Sequence, residues 1–404
     1  MSEESAFSQR LHEGLRAAAP FPFPCYTANV IAGFVTAEGT TRYRNRFPEL
    51  RDAGHFRRSE HVPGAGELWL SSIGMGTYLG ETNEAADHSY TDAIVTALRS
   101  GINVLDTAIN YRHQRSERNI GAALQKLVSA GEIQRDEVLV CTKAGYLAFD
   151  ADLPSDPRRY FMTEYVEPGI LDLAQLAGGS HCISPGYLSN QIDRSRRNLG
   201  LETIDVFYVH NPESQLAAVS WPAFLERLSA AFAMLEQAVQ QKKIRFYGIA
   251  TWNGLRTTDS QRDYLNLGQI VRLAEELTGT EHHFRFIQLP FNLGMAEAFG
   301  LANQEWNGEK VSVMKLAAHA GMAVIGSATL HQGQLARNLP AFVSENLGMQ
   351  TDAENAIQFS RSAPRISTSL VGMAKSEHVL RNLALAKVPL TAPEQWSKLF
   401  SKAE

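Results

Sequence analysis

Cysteine is scarce in this chain, and its few residues follow no spacing that is typical of a known kind of site. The 404 residues include three cysteines, Cys25, Cys141 and Cys182, and no CxxC pair. An odd number of scattered cysteines argues against a disulfide framework and against a cysteine-based zinc site. The twelve histidines form no HExxH pattern, so no metal is predicted, and the cysteine usage suits a reducing compartment.

The chain also lacks a strong excess of charge of either sign and any long apolar run. Charged residues make up 20% of the sequence and the net charge is −5, which provides no basic surface for nucleic acid. No run approaches about 18 uninterrupted apolar residues, so no transmembrane helix is expected. The start, MSEESAFSQR, is acidic and polar and does not resemble a signal peptide. We therefore expect a cytoplasmic protein that binds neither nucleic acid nor membrane.

The sequence does contain enough apolar residues for one large core with additions. Hydrophobic residues make up 44% of a chain that is longer than the roughly 250 residues of an ordinary barrel domain. Residues 1–60 differ from the rest, with a Pro- and Phe-rich AAAPFPFP and a basic, aromatic TTRYRNRF. We predict an extension over 1–60 that packs on a barrel formed by 61–404 or on a neighbouring subunit, which leaves a homo-oligomer open. As an alternative, Arg42, Arg44 or Arg46 reaches the active-site mouth.

A regular alternation of strand-like and helix-like stretches begins near residue 67. The helical stretches have the expected period, as in SYTDAIVTALRSG, where Ala93, Ile94, Ala97 and Leu98 fall on one face and Gly101 is placed for a C-terminal cap. The predicted strands are Leu68–Gly74, Ile102–Asp106, Val138–Thr142, Ile204–Val209, Phe246–Thr251, Phe284–Leu289, Ala323–Ile325 and Thr368–Val371. Strands that alternate with such helices imply a parallel sheet.

Eight strand–helix units favour a closed barrel over an open sheet. An open doubly wound sheet is the alternative, but no GxGxxG follows an early strand. The predicted fold is therefore of the α/β class, a (β/α)8 TIM barrel with an N-terminal extension and a long insertion, 144–188, after strand four. In such barrels the chemistry takes place at the carboxyl ends of the strands.

Polar residues follow the apolar runs at several of these strand ends. They are Asp106, Lys143, His210, Gln288 and Ser327. An ammonium buried near a closed core is costly unless it is paired, and Asp106 is the candidate partner for Lys143. We expect these side chains to meet at one rim of the barrel.

The motifs around these strand ends resemble the aldo-keto reductase superfamily. DTAINY with RSERNIG, TKAG, SRRNLGLETIDVFYVHNPE, KKIRFYGIATWN, FIQLPFNL and LVGMAKSEHVLRNL follow the family's order over roughly residues 66–387. The resemblance implies an NAD(P)-dependent enzyme that transfers hydride between a nicotinamide and a small-molecule carbonyl or alcohol. It assigns catalysis to Asp106, Tyr111, Lys143 and His210, with Tyr111 as general acid and Lys143 lowering its pKa.

The resemblance also implies a cofactor site across the mouth of the barrel. The matching positions are Gly76, Thr77, Asp106, Thr251, Gln288, Ser327, Ala328, Leu330, Gly372, Met373, Ala374, Lys375, His378 and Asn382. The sequence departs from the family at Ala250 and Thr251, where a Ser-Asn pair usually holds the nicotinamide carboxamide. It departs again at His378, where many members place an Arg for the adenosine 2′-phosphate. NADP is expected ahead of NAD.

For the substrate, the resemblance and the aromatic residues of the insertion suggest Tyr111, His210, Trp252 and Tyr146. We hypothesise that the insertion forms part of a lid or pocket wall, since loops at this face of a barrel set specificity. Two other functions stay open at this point. The barrel could be a non-catalytic nucleotide-binding sensor module, or a lyase that uses Lys143 to form a Schiff base.

Overall fold

The computed structural model describes residues 30–59, 62, 64 and 66–400. Its strands are β1 (Phe56–Ser59), β2 (Leu68–Ser71), β3 (Ile73–Gly76), β4 (Val104–Asp106), β5 (Leu139–Ala144), β6 (Ile204–His210), β7 (Ile244–Ala250), β8 (Phe284–Pro290), β9 (Gln304–Trp306), β10 (Glu309–Val311), β11 (Ala323–Ser327) and β12 (Ile366–Gly372). Strands β3 to β8, β11 and β12 form a closed parallel barrel, which confirms the predicted fold.

Helices precede, connect and follow the barrel strands. They are α1 (Ala37–Asn45), α2 (Pro48–Asp52), α3 (Glu84–Ser100), α4 (Arg115–Ser129), α5 (Pro157–Phe161), α6 (Pro185–Leu199), α7 (Trp221–Gln240), α8 (Leu267–Thr278), α9 (Glu297–Gly300), α10 (Val313–His319), α11 (Ala341–Leu347), α12 (Asp352–Ser362), α13 (Ser376–Ala384) and α14 (Pro393–Ser397). Helix α3 begins after the N-cap residue Asn83. Gly101 caps its C-terminus, as predicted, with its backbone in the left-handed conformation. Among the described residues, no helix combines the length and hydrophobicity needed to cross a bilayer.

The strands are buried on both faces, as apolar runs in a parallel barrel must be. Every residue of β6 and β8 is buried. The barrel closes where β3 pairs with β12 on one side, Gly76 facing Gly372, and with β4 on the other, Gly76 facing Asp106. The carboxyl ends of neighbouring strands therefore meet at one rim.

The first predicted strand, Leu68–Gly74, is wrong as a single element. It is two strands, because β2 pairs antiparallel with β1 in a hairpin and the chain enters the barrel only at β3. The position of the insertion is corrected as well. It follows β5, which is the third strand of the barrel and not the fourth.

The described part of the N-terminal extension covers the amino-terminal end of the barrel. Tyr43 of α1 donates a hydrogen bond to the carbonyl of Leu98 at 2.6 Å, and Arg42 and Arg46 form ion pairs with Glu137, just before β5. Arg44 stacks on Trp69 at 4.0 Å.

The alternative that these arginines reach the active-site mouth is therefore wrong, since they lie at the opposite end of the strands. The AAAPFPFP stretch and Cys25 lie outside the described residues. The division of the chain at residue 60, a homo-oligomer and a cytoplasmic location stay predictions.

Candidate active site

The carboxyl ends of the barrel strands surround a cleft of about 710 Å³. The predicted site residues that line it are Gly76, Thr77, Asp106, Tyr111, Tyr146, His210, Thr251, Trp252, Gln288, Ser327, Ala328, Leu330 and Gly372. Lys143 is fully buried in the wall of the barrel below this cleft. The carboxyl ends of the strands thus bring one chemically related set of side chains together.

A buried ion pair lies at the base of the cleft. The Lys143 ammonium is 2.5 Å from Oδ1 of Asp106 and also donates to the carbonyl of Thr107 at 2.7 Å. Burial alone would lower the pKa of Lys143, but the carboxylate of Asp106 and the phenol of Tyr111 raise it above its ordinary value. Lys143 is therefore an ammonium at neutral pH, and its positive charge acts on any acid group beside it.

Tyr111 lies above this pair. Its phenol oxygen is 3.5 Å from the Lys143 ammonium, and its ring contacts those of Tyr78 and His210 at centroid distances of 5.0 and 5.9 Å. Burial raises the pKa of the Tyr111 phenol, and the Lys143 charge opposes that shift without cancelling it. Lys143 acts on the pKa of Tyr111 in the expected direction, but desolvation is the larger effect, so the net shift is upward. Tyr111 keeps its proton at neutral pH.

The chain directly after Tyr111 has an unusual backbone. Arg112, His113 and Gln114 all have positive φ angles, of 47°, 53° and 69°. Such conformations cost about 1–3 kcal/mol each in residues other than glycine and persist only where the surroundings hold them. The Arg112 guanidinium provides part of that support through Asn119 at 2.7 Å and Asp87 at 2.6 Å.

His210 is the last residue of β6 and faces Tyr111 across the cleft. Burial lowers its pKa well below the ordinary value, and the nearby Lys143 charge lowers it further, so the imidazole is neutral. Its Nδ1 atom is buried without a hydrogen-bond partner among the described residues. A neutral imidazole carries one N–H group, which is able to donate to an oxygen atom placed between His210 and Tyr111.

Comparison with known proteins identifies the family. A profile of the aldo/keto reductase family matches residues 72–404. The chain belongs to the aldo/keto reductase family. This confirms the resemblance seen in the motifs, and the family is one of NAD(P)-dependent oxidoreductases.

Individual relatives are distant. The chain is 27% identical over 215 residues to the NADH-specific methylglyoxal reductase of Escherichia coli (strain K12), a match that covers 51% of the chain and spans only about half, 55%, of that protein. It is 21% identical over 368 residues to a Schizosaccharomyces pombe protein provisionally named a voltage-gated potassium channel subunit beta, covering 85% of the chain and 94% of that protein. The structure of an aldo/keto reductase from Klebsiella pneumoniae in complex with NADP and acetate superposes with a TM-score of 0.53 at 17% identity, covering 84% of the chain and 94% of that structure.

The residues predicted to hold the nicotinamide include the first departure from the family pattern. Thr251 is 4% exposed, and its hydroxyl oxygen is buried without a partner among the described residues. Gln288 donates from its amide nitrogen to Oδ2 of Asp106 at 2.7 Å, which fixes the orientation of its side chain. Asn253, which could have replaced the missing Ser-Asn pair, does not line the cleft, and its backbone N–H is bound to Glu213. The unpaired Thr251 hydroxyl fits a carboxamide, and the methyl group of Ala250 adds no polar contact.

The residues predicted to surround the adenosine lie outside the cleft, in the turn after β12 and in α13. The predicted residues there are Met373, Ala374, Lys375, His378 and Asn382. The Met373 side chain is fully buried, so only its backbone could meet a ligand. Lys375 and His378 are exposed, and the His378 ring is 3.6 Å from the carboxylate of Glu377.

Several lining residues were not predicted from the sequence. They are Tyr78, Leu79, Asn110, Asn211, Thr329, His331, Gln332, Gly333 and Leu370, with Ala250 noted only as a departure. Most of them directly follow a strand end or a predicted residue. Extending each strand-end prediction by one or two positions would have found Tyr78, Leu79 and Asn211. Among the described residues, no group of three or more potential metal ligands has the geometry to hold an ion.

Proposed function

We propose that the chain reduces a neutral carbonyl compound with NADPH, and that Tyr111 donates the proton. The geometry around Tyr111 carries this proposal, because the phenol lies 3.5 Å from a buried ammonium and beside the neutral His210 at the mouth of a barrel. When bound, the nicotinamide supplies the hydride. The protein has to hold the carbonyl, orient it and deliver one proton to its oxygen.

Tyr111 suits the role of acid in the direction of reduction. It is protonated at neutral pH, and the Lys143 ammonium stabilises the phenolate that remains after proton transfer. Asp106 holds that ammonium in place by an ion pair of 2.5 Å. His210, neutral and at the same oxygen, donates a second hydrogen bond that orients the carbonyl towards Tyr111.

Two observations support NADP as the cofactor ahead of NAD. The Klebsiella pneumoniae structure contains NADP, although the Escherichia coli relative is named as specific for NADH. In this chain, Lys375, His378 and Arg381 lie on or just before α13, where they could pair with a 2′-phosphate. We infer that Gly76, Thr77, Thr251 and Gln288 hold the nicotinamide half. Ser327, Ala328, Leu330 and Gly372 hold the central part.

The chemistry of the cleft supports an uncharged substrate. Among the described residues that line it, Asp106 is the only carboxylate and no Lys or Arg is present, so an anionic group would find no permanently charged cation there. The Asp106 charge is already paired with Lys143. The exposed rings of Tyr78 and Trp252, together with Tyr146, instead provide apolar faces for the substrate.

The two alternative functions have less support. Schiff-base chemistry needs a neutral amine, whereas Lys143 is held as an ammonium by Asp106 and by the Thr107 carbonyl. The name of the Schizosaccharomyces pombe relative, a channel subunit, suggests a non-catalytic function. A protein with such a function would not need Asp106, Lys143, Tyr111 and His210 in contact at one cleft. A single experiment separates it from the reductase.

The experiment combines cofactor binding with turnover. NADPH and NADH are titrated by nicotinamide fluorescence, and NADPH consumption is then followed with 4-nitrobenzaldehyde and with the anionic 4-carboxybenzaldehyde. We expect tighter NADPH binding and a preference for the neutral aldehyde of roughly ten-fold or more in kcat/KM. Tyr111→Phe should keep NADPH affinity and lose about 10²- to 10⁴-fold in rate. Tight cofactor binding without turnover on a broader panel of neutral carbonyls and alcohols would instead favour the sensor.

A further inference from the structure

The insertion after β5, residues 145–184, covers little of the cleft. Among the described residues, Tyr146 is the only member of the insertion that lines the cleft. Its other aromatic rings pack on one another and on α6, as Phe149 does on Phe161 at 4.8 Å and Tyr165 on Tyr187 at 5.5 Å. Tyr146 gives the pocket-wall part of the hypothesis one contact, whereas the lid part has little structural support.

The end of the insertion returns to the active site behind His210. Nε2 of His181 lies 2.7 Å from the backbone carbonyl oxygen of His210, and Nδ1 of His181 lies 2.7 Å from the amide nitrogen of Gln215. The Arg227 guanidinium, which can only donate, binds Oε1 of Gln215 at 2.6 Å. Three side chains thus form a continuous row of hydrogen bonds that ends on the backbone of His210.

The direction of every hydrogen bond in this row follows from Arg227. Because Oε1 of Gln215 accepts from Arg227, its amide nitrogen must face His181 and donate to Nδ1. His181 therefore carries its proton on Nε2 and donates it to the His210 carbonyl. Burial lowers the pKa of His181 to about 4, so this tautomer persists across neutral pH.

The backbone around His210 accommodates His181. The next residue, Asn211, has a positive φ of 44°, and its backbone N–H donates to the carbonyl of Ala250 at 2.6 Å. Gly145, at the start of the insertion, leaves the necessary space. A Cβ atom there would lie 2.4 Å from the same carbonyl oxygen and 2.8 Å from Nε2 of His181.

The ring of His210 is also held from the side of the insertion. Tyr146 packs edge-on against both His210 and His181, with centroid distances of 5.4 and 4.9 Å. Its hydroxyl is 3.1 Å from that of Ser214 and accepts from Asn211 at 3.2 Å. The insertion therefore contacts the His210 ring and backbone together.

We propose that the insertion is a brace for the active site, and that His181 is the positioning residue that fixes His210 against the carbonyl oxygen. This inference rests on the proposed function, in which His210 orients the substrate. A displacement of about 1 Å in such a group can cost on the order of 10²-fold in rate. His181 itself touches neither substrate nor cofactor.

The test compares His181→Leu, which removes the donor, with His181→Gln, whose amide nitrogen can reach the same carbonyl. His181→Leu should lower kcat for the neutral aldehyde by roughly 10- to 100-fold, with NADPH affinity within two-fold of wild type. His181→Gln should recover most of that loss. His55→Leu is the matched control, since buried His55 bonds to the Gly101 carbonyl at 3.1 Å at the other end of the barrel and should leave kcat unchanged.

Each outcome has a definite meaning. A His181→Leu enzyme with kcat within two-fold of wild type, or a His181→Gln enzyme as slow as the Leu variant, would overturn the inference. If His181→Leu does not fold, His181→Asn replaces it, because its polar side chain is too short to reach the carbonyl. A wild-type protein that binds NADPH but turns over no carbonyl or alcohol would refute the proposed function, and this inference with it.

Discussion

Two fully buried cations, Arg361 and Lys143, lie at opposite ends of the barrel in very different surroundings. Arg361, near the amino-terminal end, donates to the carbonyls of Leu385 and Val388 and to the side chains of Gln358 and Ser72. It has no carboxylate partner among the described residues, and burial lowers its pKa to about 9. Neutral dipoles are enough to hold a cation that only ties elements together.

Lys143, at the carboxyl end, is held differently. Its ammonium is paired with the buried carboxylate of Asp106, and a phenol lies 3.5 Å away. The carboxylate keeps Lys143 charged, and the charge is available to a group that can itself gain or lose a proton. A buried cation beside both a carboxylate and a titratable group is therefore a stronger indication of chemistry than a buried cation alone.

Removing the cation at the mouth should have the largest effect. Lys143→Met leaves Asp106 buried without its ion partner and deprives the Tyr111 phenolate of its stabilising charge. We expect kcat for carbonyl reduction to fall roughly 10³-fold. Loss of the buried pair should also lower the free energy of unfolding by about 3–5 kcal/mol. Activity within ten-fold of wild type in the folded variant would mean that Lys143 is a structural cation like Arg361.

Removing the cation at the other end should affect stability alone. Arg361→Met leaves several buried acceptors without a donor, and we expect urea denaturation to show a loss of about 3 kcal/mol. Turnover at 25 °C, measured while the variant is still folded, should stay within two-fold of wild type. A large fall in kcat without a loss of stability would show that the two ends of the barrel are coupled. Arg361 would then not be a cation with a structural role alone.

The pH dependence of activity should come from Tyr111, at the mouth of the barrel. Reduction requires the protonated phenol of Tyr111, whose pKa burial raises above the ordinary value of about 10. Reduction should therefore be constant through neutral pH and fall only as pH rises through that raised pKa. Alcohol oxidation requires the phenolate, so it should rise with pH over the same range. Arg361→Met should keep both profiles, and Tyr111→Phe should abolish the alkaline change.

The sequence predicts the residues of the site better than it predicts how they are held. Asp106, Lys143 and His210 could be predicted because each follows an apolar strand, and strand ends in a barrel meet at one rim. His181 could not, because its partner His210 is 29 positions away and nothing local marks the contact. The same holds for Arg361, which by sequence ends an ordinary helix yet is buried against residues far along the chain.

The backbone after Tyr111 escaped prediction for a related reason. Arg112, His113 and Gln114 include no glycine, and a run of three such residues with a left-handed backbone depends on tertiary contacts. One of those contacts again comes from the insertion, since the Gln114 amide donates to the Phe149 carbonyl at 2.9 Å. Local propensity predicts elements, whereas strained functional loops depend on neighbours that are distant in sequence.

The smallest effect is expected at the exposed basic residues in and just before α13, which differ from both buried cations in being open to solvent. His378→Arg places a permanent charge and a bidentate donor where many family members have one, so NADPH affinity should rise and NADH affinity should not. The gain should be about five-fold or less, because solvent screens an exposed pair and the Glu377 carboxylate, 3.6 Å from the present ring, competes for the new group. Fluorescence titration with both cofactors measures it, with Glu377→Gln as the companion variant that removes the competitor. An equal change for NADH and NADPH would place the 2′-phosphate elsewhere, with Lys375 and Arg381 as the next residues to test.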